Sequence, residues 1–92
     1  MKKTTHPQLE AIANKVGEPY FLMAVSHLFA VGTDNLTDEN VKETIAELAA
    51  EEEPKNAIIT NRFKISILET SLEIAKAATI LEIVKFASGH IY

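Results

Sequence analysis

The fold prediction starts from residues 60–88, TNRFKISILETSLEIAKAATILEIVKFAS, which contain neither glycine nor proline to interrupt a helix. The mostly apolar residues of this stretch recur at alternating spacings of four and three, which is the period of one face of an α-helix. A first stripe comprises Phe63, Ile67, Thr70, Ile74, Ala77, Leu81 and Val84. A second, adjacent stripe comprises Ile65, Leu68, Leu72, Ala75, Thr79, Ile83 and Phe86. The stretch therefore predicts a long helix that is apolar over two neighbouring stripes.

A continuous helix over these 29 residues would be about 43 Å long at 1.5 Å per residue. A compact domain of this size has a diameter of roughly 32 Å, so such a helix would extend beyond it by roughly 10 Å. We expect the helix to be continuous, because the first stripe passes Thr70 without a change of phase. The alternative is a break at residues 70–73, T-S-L-E, which match the capping box that starts many helices.

Proline and glycine delimit three shorter helices upstream of this stretch. Pro7 and Pro19 suit the first position of a helix, and Gly17 and Gly32 lie just past the two helix ends. Thr37 is a favourable N-cap for the third helix. The predicted helices cover residues 7–15, 19–31 and 38–52.

The composition agrees with one small folded domain. Hydrophobic residues make up 47% of the chain and charged residues 24%, which is typical of globular proteins. The absence of cysteine excludes disulfides and cysteine-bound metal sites. We predict an all-α, bundle-like domain over residues 1–92 without an internal boundary, with about four helices, a long C-terminal helix, and oligomerisation completing the bundle.

Self-association is expected on two physical grounds. A chain of 92 residues buries only about 60–65% of its unfolded surface, so its core alone is marginal. The long final helix also has more apolar surface than one antiparallel neighbour covers. We therefore predict a homo-oligomer, with a dimer favoured, in which a second copy covers Ile74, Leu81, Val84 and Phe86.

Acidic residues are concentrated in one part of the chain. Residues 34–53 carry eight acids and a single base, Lys42. Within them, four glutamates lie four residues apart, at Glu39, Glu43, Glu47 and Glu51. Like charges at this spacing destabilise a helix by about 0.2–0.5 kcal/mol per pair, which stability alone does not favour. Two interpretations remain open: a solvated face that maintains solubility, or an acidic ridge that docks on a basic protein.

Residues with catalytic or metal-binding chemistry are sparse. His6, His27 and His90 are isolated from one another, and none has a second ligand at metal-site spacing. There is no nucleophile elbow, glycine-rich phosphate loop or H-E-x-x-H motif. We expect His27, within the apolar second helix, to be a neutral packed histidine. The sequence therefore predicts a protein that is not an enzyme, with no catalytic residue, no metal and no cofactor.

The basic residues and the apolar runs exclude two kinds of partner. Only nine basic residues are present, they are scattered, and one of them is Arg, so we expect no direct nucleic-acid binding. The longest apolar run, residues 20–25, is far shorter than the roughly 20 residues that span a bilayer. We expect no membrane association and a cytoplasmic location.

These observations predict a small non-enzymatic interaction module or accessory subunit. It would self-associate and present its acidic helix to a basic protein partner. The alternative is an inhibitor, immunity or antitoxin-type protein that masks a basic site on a nuclease or a DNA-binding protein.

Overall fold

Five α-helices make up the computed structural model of the protein, which describes residues 6–91. They are α1 (Pro7–Val16), α2 (Glu18–Val31), α3 (Asp38–Ala50), α4 (Asn61–Ala77) and α5 (Ile80–Ile91), with a short 3-10 turn, Thr33–Asn35, between α2 and α3. The described residues contain 80% helix and no strand. The predicted all-α fold is therefore confirmed, with five helices instead of about four.

The predicted glycine and threonine signals determine where α1 and α2 end and where α3 begins, whereas α3 ends at Ala50 and not at the predicted residue 52. Gly17 and Gly32 have φ angles of 94° and 83°, in the region that residues with a Cβ rarely adopt, and they end α1 and α2. Thr37 is the N-cap of α3, and its hydroxyl accepts a hydrogen bond from the Asn40 N–H at 3.1 Å. Local sequence signals therefore account for these boundaries.

The final helix is not continuous, so that prediction is wrong, and the alternative break at residues 70–73 is wrong as well. α4 ends at Ala77, Ala78 is extended with φ −153°, and α5 begins at Ile80. The Thr79 N–H donates to the Glu82 carboxylate at 3.0 Å, and the Glu82 N–H donates to the Thr79 hydroxyl at 3.3 Å. This reciprocal pair is a capping box, and it starts α5.

The core lies where α2 and α4 pack together, with α1, α3 and α5 around them. Phe21, Leu28 and Ile74 are completely or almost completely buried there. The remaining members of the buried cluster are Leu9, Ala13, Ala24, Val25, Leu36, Val41, Leu68, Ile83, Phe86 and Ala87.

The break changes how the two apolar stripes face the core. On α4 the first stripe is buried through Ile67, Thr70 and Ile74, and Leu68 of the second stripe is buried as well. On α5 the second stripe is buried through Ile83 and Phe86, whereas Leu81 and Val84 of the first stripe are exposed. The Phe86 ring meets the Phe21 ring of α2 edge to face, with centroids 5.5 Å apart. A straight helix would carry Phe86 away from α2, which at 14 residues is only about 21 Å long.

The molecule is elongated. Its radius of gyration is 14.0 Å and its principal extents are 48 × 27 × 20 Å, whereas a compact domain of this length has a radius of gyration near 12 Å. Because α4 and α5 are separate helices, the overhang of a single long helix no longer supports self-association. That hypothesis now depends on the side chains that the fold leaves exposed.

Candidate functional site

The four spaced glutamates form an exposed acidic face on α3. Glu39, Glu43 and Glu47 lie on the helix, Glu51 is the residue that ends it, and all four are exposed. The side of α3 that carries Val41, Ile45 and Leu48 packs against the core. Among the described residues, no Lys or Arg forms an ion pair with any of the four. The charge of this face is therefore available to a partner.

Asn61 fixes the end of the acidic face against the start of α4. Its side-chain amide donates to the Leu48 carbonyl at 2.9 Å and to the Glu51 carbonyl at 3.4 Å. Its backbone N–H donates to the Glu53 carboxylate. The two side-chain amide bonds satisfy carbonyls that the end of a helix leaves free. Nothing in the sequence marks Asn61, since only the fold brings it to α3.

A second exposed surface lies between α2 and α5. A cavity of about 270 Å³ is lined by Leu22, Val25, Ser26, Phe29, Val84, Ala87 and Ser88. Phe29 is 45% exposed, Val84 42%, and Leu81, one turn before Val84, 63%. We call Leu22, Phe29, Leu81 and Val84 the α2–α5 face. Phe29, Leu81 and Val84 are exposed and Leu22 is half-buried, and exposed large apolar side chains grouped in this way are typical of an interaction surface.

The predicted self-association residues are divided by the fold. Leu81 and Val84 belong to the exposed α2–α5 face. Ile74 and Phe86 are 0% and 2% exposed and lie inside the core of the same chain, so a second copy cannot reach them without unfolding it. The prediction is therefore wrong for Ile74 and Phe86. It assumes one straight helix, whereas the helix breaks between α4 and α5, and α5 directs Phe86 into the core and Leu81 and Val84 outward.

His27 lies next to a serine that the sequence could not pair with it. Its Nδ1 is 3.3 Å from the Ser71 hydroxyl, which also lies 2.7 Å from the Ile67 carbonyl and 3.0 Å from the Ala24 carbonyl. Both carbonyls can only accept, so the single hydroxyl proton serves them and His27 donates through Nδ1–H. Ser71 is completely buried, and its proton is already donated, so the pair does not provide an accessible nucleophile.

His27 also lines two shallow cavities of about 370 and 320 Å³ between α2, α3 and α4. The larger is mainly apolar, with Leu48, Phe63 and Ile67 in its wall. No buried side-chain nitrogen or oxygen among the described residues lacks a hydrogen-bond partner. The polar groups around these cavities are therefore accounted for by the fold itself.

A cluster of polar side chains, His6, Thr79 and Glu82, joins the start of α1 to the start of α5. The His6 Nδ1 accepts the Leu9 N–H at 3.3 Å, and its Nε2 lies 3.2 Å from the Glu82 carboxylate. The bond from the Thr79 backbone N–H lowers the pKa of Glu82 below its ordinary value, and the Thr79 hydroxyl and His6 contribute in the same direction. Residues 79–82 match the same capping-box pattern as residues 70–73, so the sequence contained a signal for this cluster.

Neither a cluster of metal ligands nor a membrane-spanning helix is present in the described part of the chain. Residues 6–91 contain no group of three His, Asp or Glu side chains that could hold a metal ion. No helix within that range is long and apolar enough to cross a membrane. Compared with known protein families, curated proteins and solved structures, the chain matches none of them.

Proposed function

We propose that this protein is a small non-enzymatic interaction module that pairs with a second copy through the α2–α5 face and presents the acidic face of α3 to a basic protein. The exposed apolar side chains of the α2–α5 face carry the proposal. Large apolar patches on small proteins mark interaction sites, because water contact with them is unfavourable.

The distribution of charge favours a second copy on the α2–α5 face. The chain has a net charge of −4, so copies repel each other on average. Residues 20–31 of α2 contain no Asp, Glu, Lys or Arg, and Phe29 projects from this uncharged segment. The α2 side of an interface between two copies would therefore add no acidic side chain to it, and a twofold axis would bury the same patch on both.

The acidic face supports the second part of the proposal. Its four carboxylates are exposed and have no ion-pair partner among residues 6–91. Glu47 lies in the last turn of α3 and Glu51 at its end, where the helix dipole disfavours negative charge. A basic protein surface would relieve this repulsion. The same chemistry suits an inhibitor of a basic nuclease or DNA-binding protein, which is the second candidate.

Sedimentation equilibrium at micromolar concentration tests the pairing. We expect a dimer mass for the wild type and a monomer mass for Val84→Glu with unchanged helical circular dichroism, since Val84 lies outside the core. Ile58→Glu is the matched control, because Ile58 is 98% exposed on the connection between α3 and α4. It should leave the dimer intact. A wild-type mass of one chain over the whole concentration range would contradict the pairing.

Affinity capture with a matched pair of triple variants tests the acidic face. In one variant Glu43, Glu47 and Glu51 become Gln, and in the other the exposed Glu10, Glu52 and Glu69 become Gln. We expect only the first to slow binding of the captured protein and to flatten its salt dependence. Capture of one basic nuclease or DNA-binding protein would favour the inhibitor. Equal effects of the two variants would contradict a specific acidic docking face.

A further inference from the structure

His6 joins the first turns of two helices from opposite ends of the chain. As the N-cap of α1, its Nδ1 accepts the Leu9 N–H at 3.3 Å. Its Nε2 lies 3.2 Å from the carboxylate of Glu82, which in turn caps α5 through Thr79. The imidazole side chain is only 16% exposed, so neighbouring protein atoms hold it in this position.

The two contacts require one particular form of the ring. Nδ1 must have a free lone pair to accept from Leu9, and Nε2 must carry a proton to donate to Glu82, so the ring is the neutral Nε2–H tautomer. A second proton, on Nδ1, would point at the Leu9 N–H and remove the cap. It would also place a positive charge at the positive end of the α1 dipole. The imidazolium can still bind Glu82.

We propose that His6 is a pH-sensitive latch, which caps α1 and ties it to α5 when neutral and releases the first turn of α1 when it becomes an imidazolium. Imidazoles as a class change charge between about pH 5 and 8. The other charged side chains on these two helices are Glu10 and Lys15 on α1 and Lys85 on α5. Within residues 6–91, Glu82 is the charged group that contacts the ring.

The latch acts on the core through Leu9. This side chain lies in the first turn of α1 and is completely buried. Release of the cap therefore loosens a core contact, whereas α5 keeps its own cap for as long as Glu82 is ionised. The inference does not depend on the proposed function, since it concerns contacts within a single chain.

Nuclear magnetic resonance of the wild-type protein between about pH 8 and 5 tests the latch. At the upper pH, the ring nitrogen shifts should identify His6 as the Nε2–H tautomer. As the ring takes up its second proton, the Leu9 amide shift should change with it, and the protection factor of that amide should fall about fivefold, the usual effect of losing an N-cap. The protection factor of the Thr79 amide should stay unchanged, because the imidazolium leaves the bond of that amide to Glu82 in place.

Three variants make the test specific. His6→Asn supplies a good N-cap that does not titrate, so its Leu9 amide should become independent of pH. Glu82→Gln should move the Leu9 transition to lower pH, because the imidazolium loses its carboxylate. His27→Gln, which changes the histidine next to Ser71, should leave the transition unaltered. An Nδ1–H tautomer at His6 in the wild type, or a Leu9 amide that does not follow the His6 ring, would overturn the proposal.

Discussion

The pattern T-x-L-E occurs twice in the chain, and only the second occurrence starts a helix. T-S-L-E at residues 70–73 lies inside α4, whereas T-I-L-E at residues 79–82 starts α5. In the first copy the threonine hydroxyl donates to the Ser66 carbonyl at 2.8 Å, and the glutamate binds the Lys15 ammonium at 3.4 Å. In the second copy the threonine and the glutamate bind each other's backbone N–H. The same Thr, Leu and Glu at the same spacing therefore have two outcomes.

The difference lies in the residues that surround each capping box. Thr70 and Ser71 are 5% and 0% exposed, and Ser71 contacts the Ala24 carbonyl of α2. A break there would withdraw both residues from the core. Thr79 and Ile80 are exposed, so a break at that point loses little and brings Phe86 onto Phe21. A capping box permits a helix to start, and tertiary packing decides whether it does.

Proline at the second position of each capping box should give the largest difference in stability between the two boxes. Ser71→Pro places proline inside α4, and we expect it to lower the free energy of unfolding by at least about 3 kcal/mol relative to Ser71→Ala. Ile80→Pro places proline at the first position of α5, where its missing N–H costs nothing, and should change stability by less than about 1 kcal/mol. Urea denaturation followed by circular dichroism measures both.

The Ser71→Ala reference removes the hydroxyl, so the comparison isolates the backbone effect of proline. If both proline variants lose the same free energy, α4 and α5 form one helix in solution and the break at Ala78 is contradicted.

Valine in place of each threonine should give a smaller contrast. Thr79→Val removes the N-cap of α5 and should cost about 1 kcal/mol. Thr70→Val keeps the shape of a buried side chain, loses a hydroxyl that bonds only within its own helix, and should change stability by less than about 0.5 kcal/mol. Thermal and urea unfolding of the two variants provide the measurement. A larger loss for Thr70→Val would indicate that the first box has a capping role.

The smallest expected difference is in how Glu82 and Glu73 affect stability as pH changes. Because the pKa of Glu82 is lowered in the folded protein, its ionised form stabilises the fold above the ordinary carboxyl pKa, and this contribution is lost as pH falls through the lowered value. Glu82→Gln should therefore remove part of the acid destabilisation seen in the wild type. Glu73→Gln breaks only an exposed ion pair and should change stability by less than about 0.5 kcal/mol.

Unfolding free energies at several pH values compare the wild type with both variants. A difference between Glu82→Gln and the wild type that stays constant from neutral to acid pH would contradict the role given to the Thr79–Glu82 bonds.

Local signals in the sequence account for the all-α class, the ends of α1 and α2, and the start of α3. Gly17, Gly32 and Thr37 act through their own backbone preferences and through bonds to residues three or four positions away, so their effect can be read without the fold. The exposure of the α3 glutamates followed in the same way, since Val41 and Ile45 on the same helix occupy its inner side.

Three features depend on contacts between residues that are distant in the chain. They are the position of the break between α4 and α5, the apolar stripe that α5 buries, and the contact between His6 and Glu82. The two capping boxes share Thr, Leu and Glu at the same spacing, and a cap contributes about 1 kcal/mol. Burial of a residue such as Phe86 contributes several times more, because truncating a buried phenylalanine costs about 3–5 kcal/mol. That contribution depends on Phe21, far away in the chain, and the larger, non-local energy determines the position of the break.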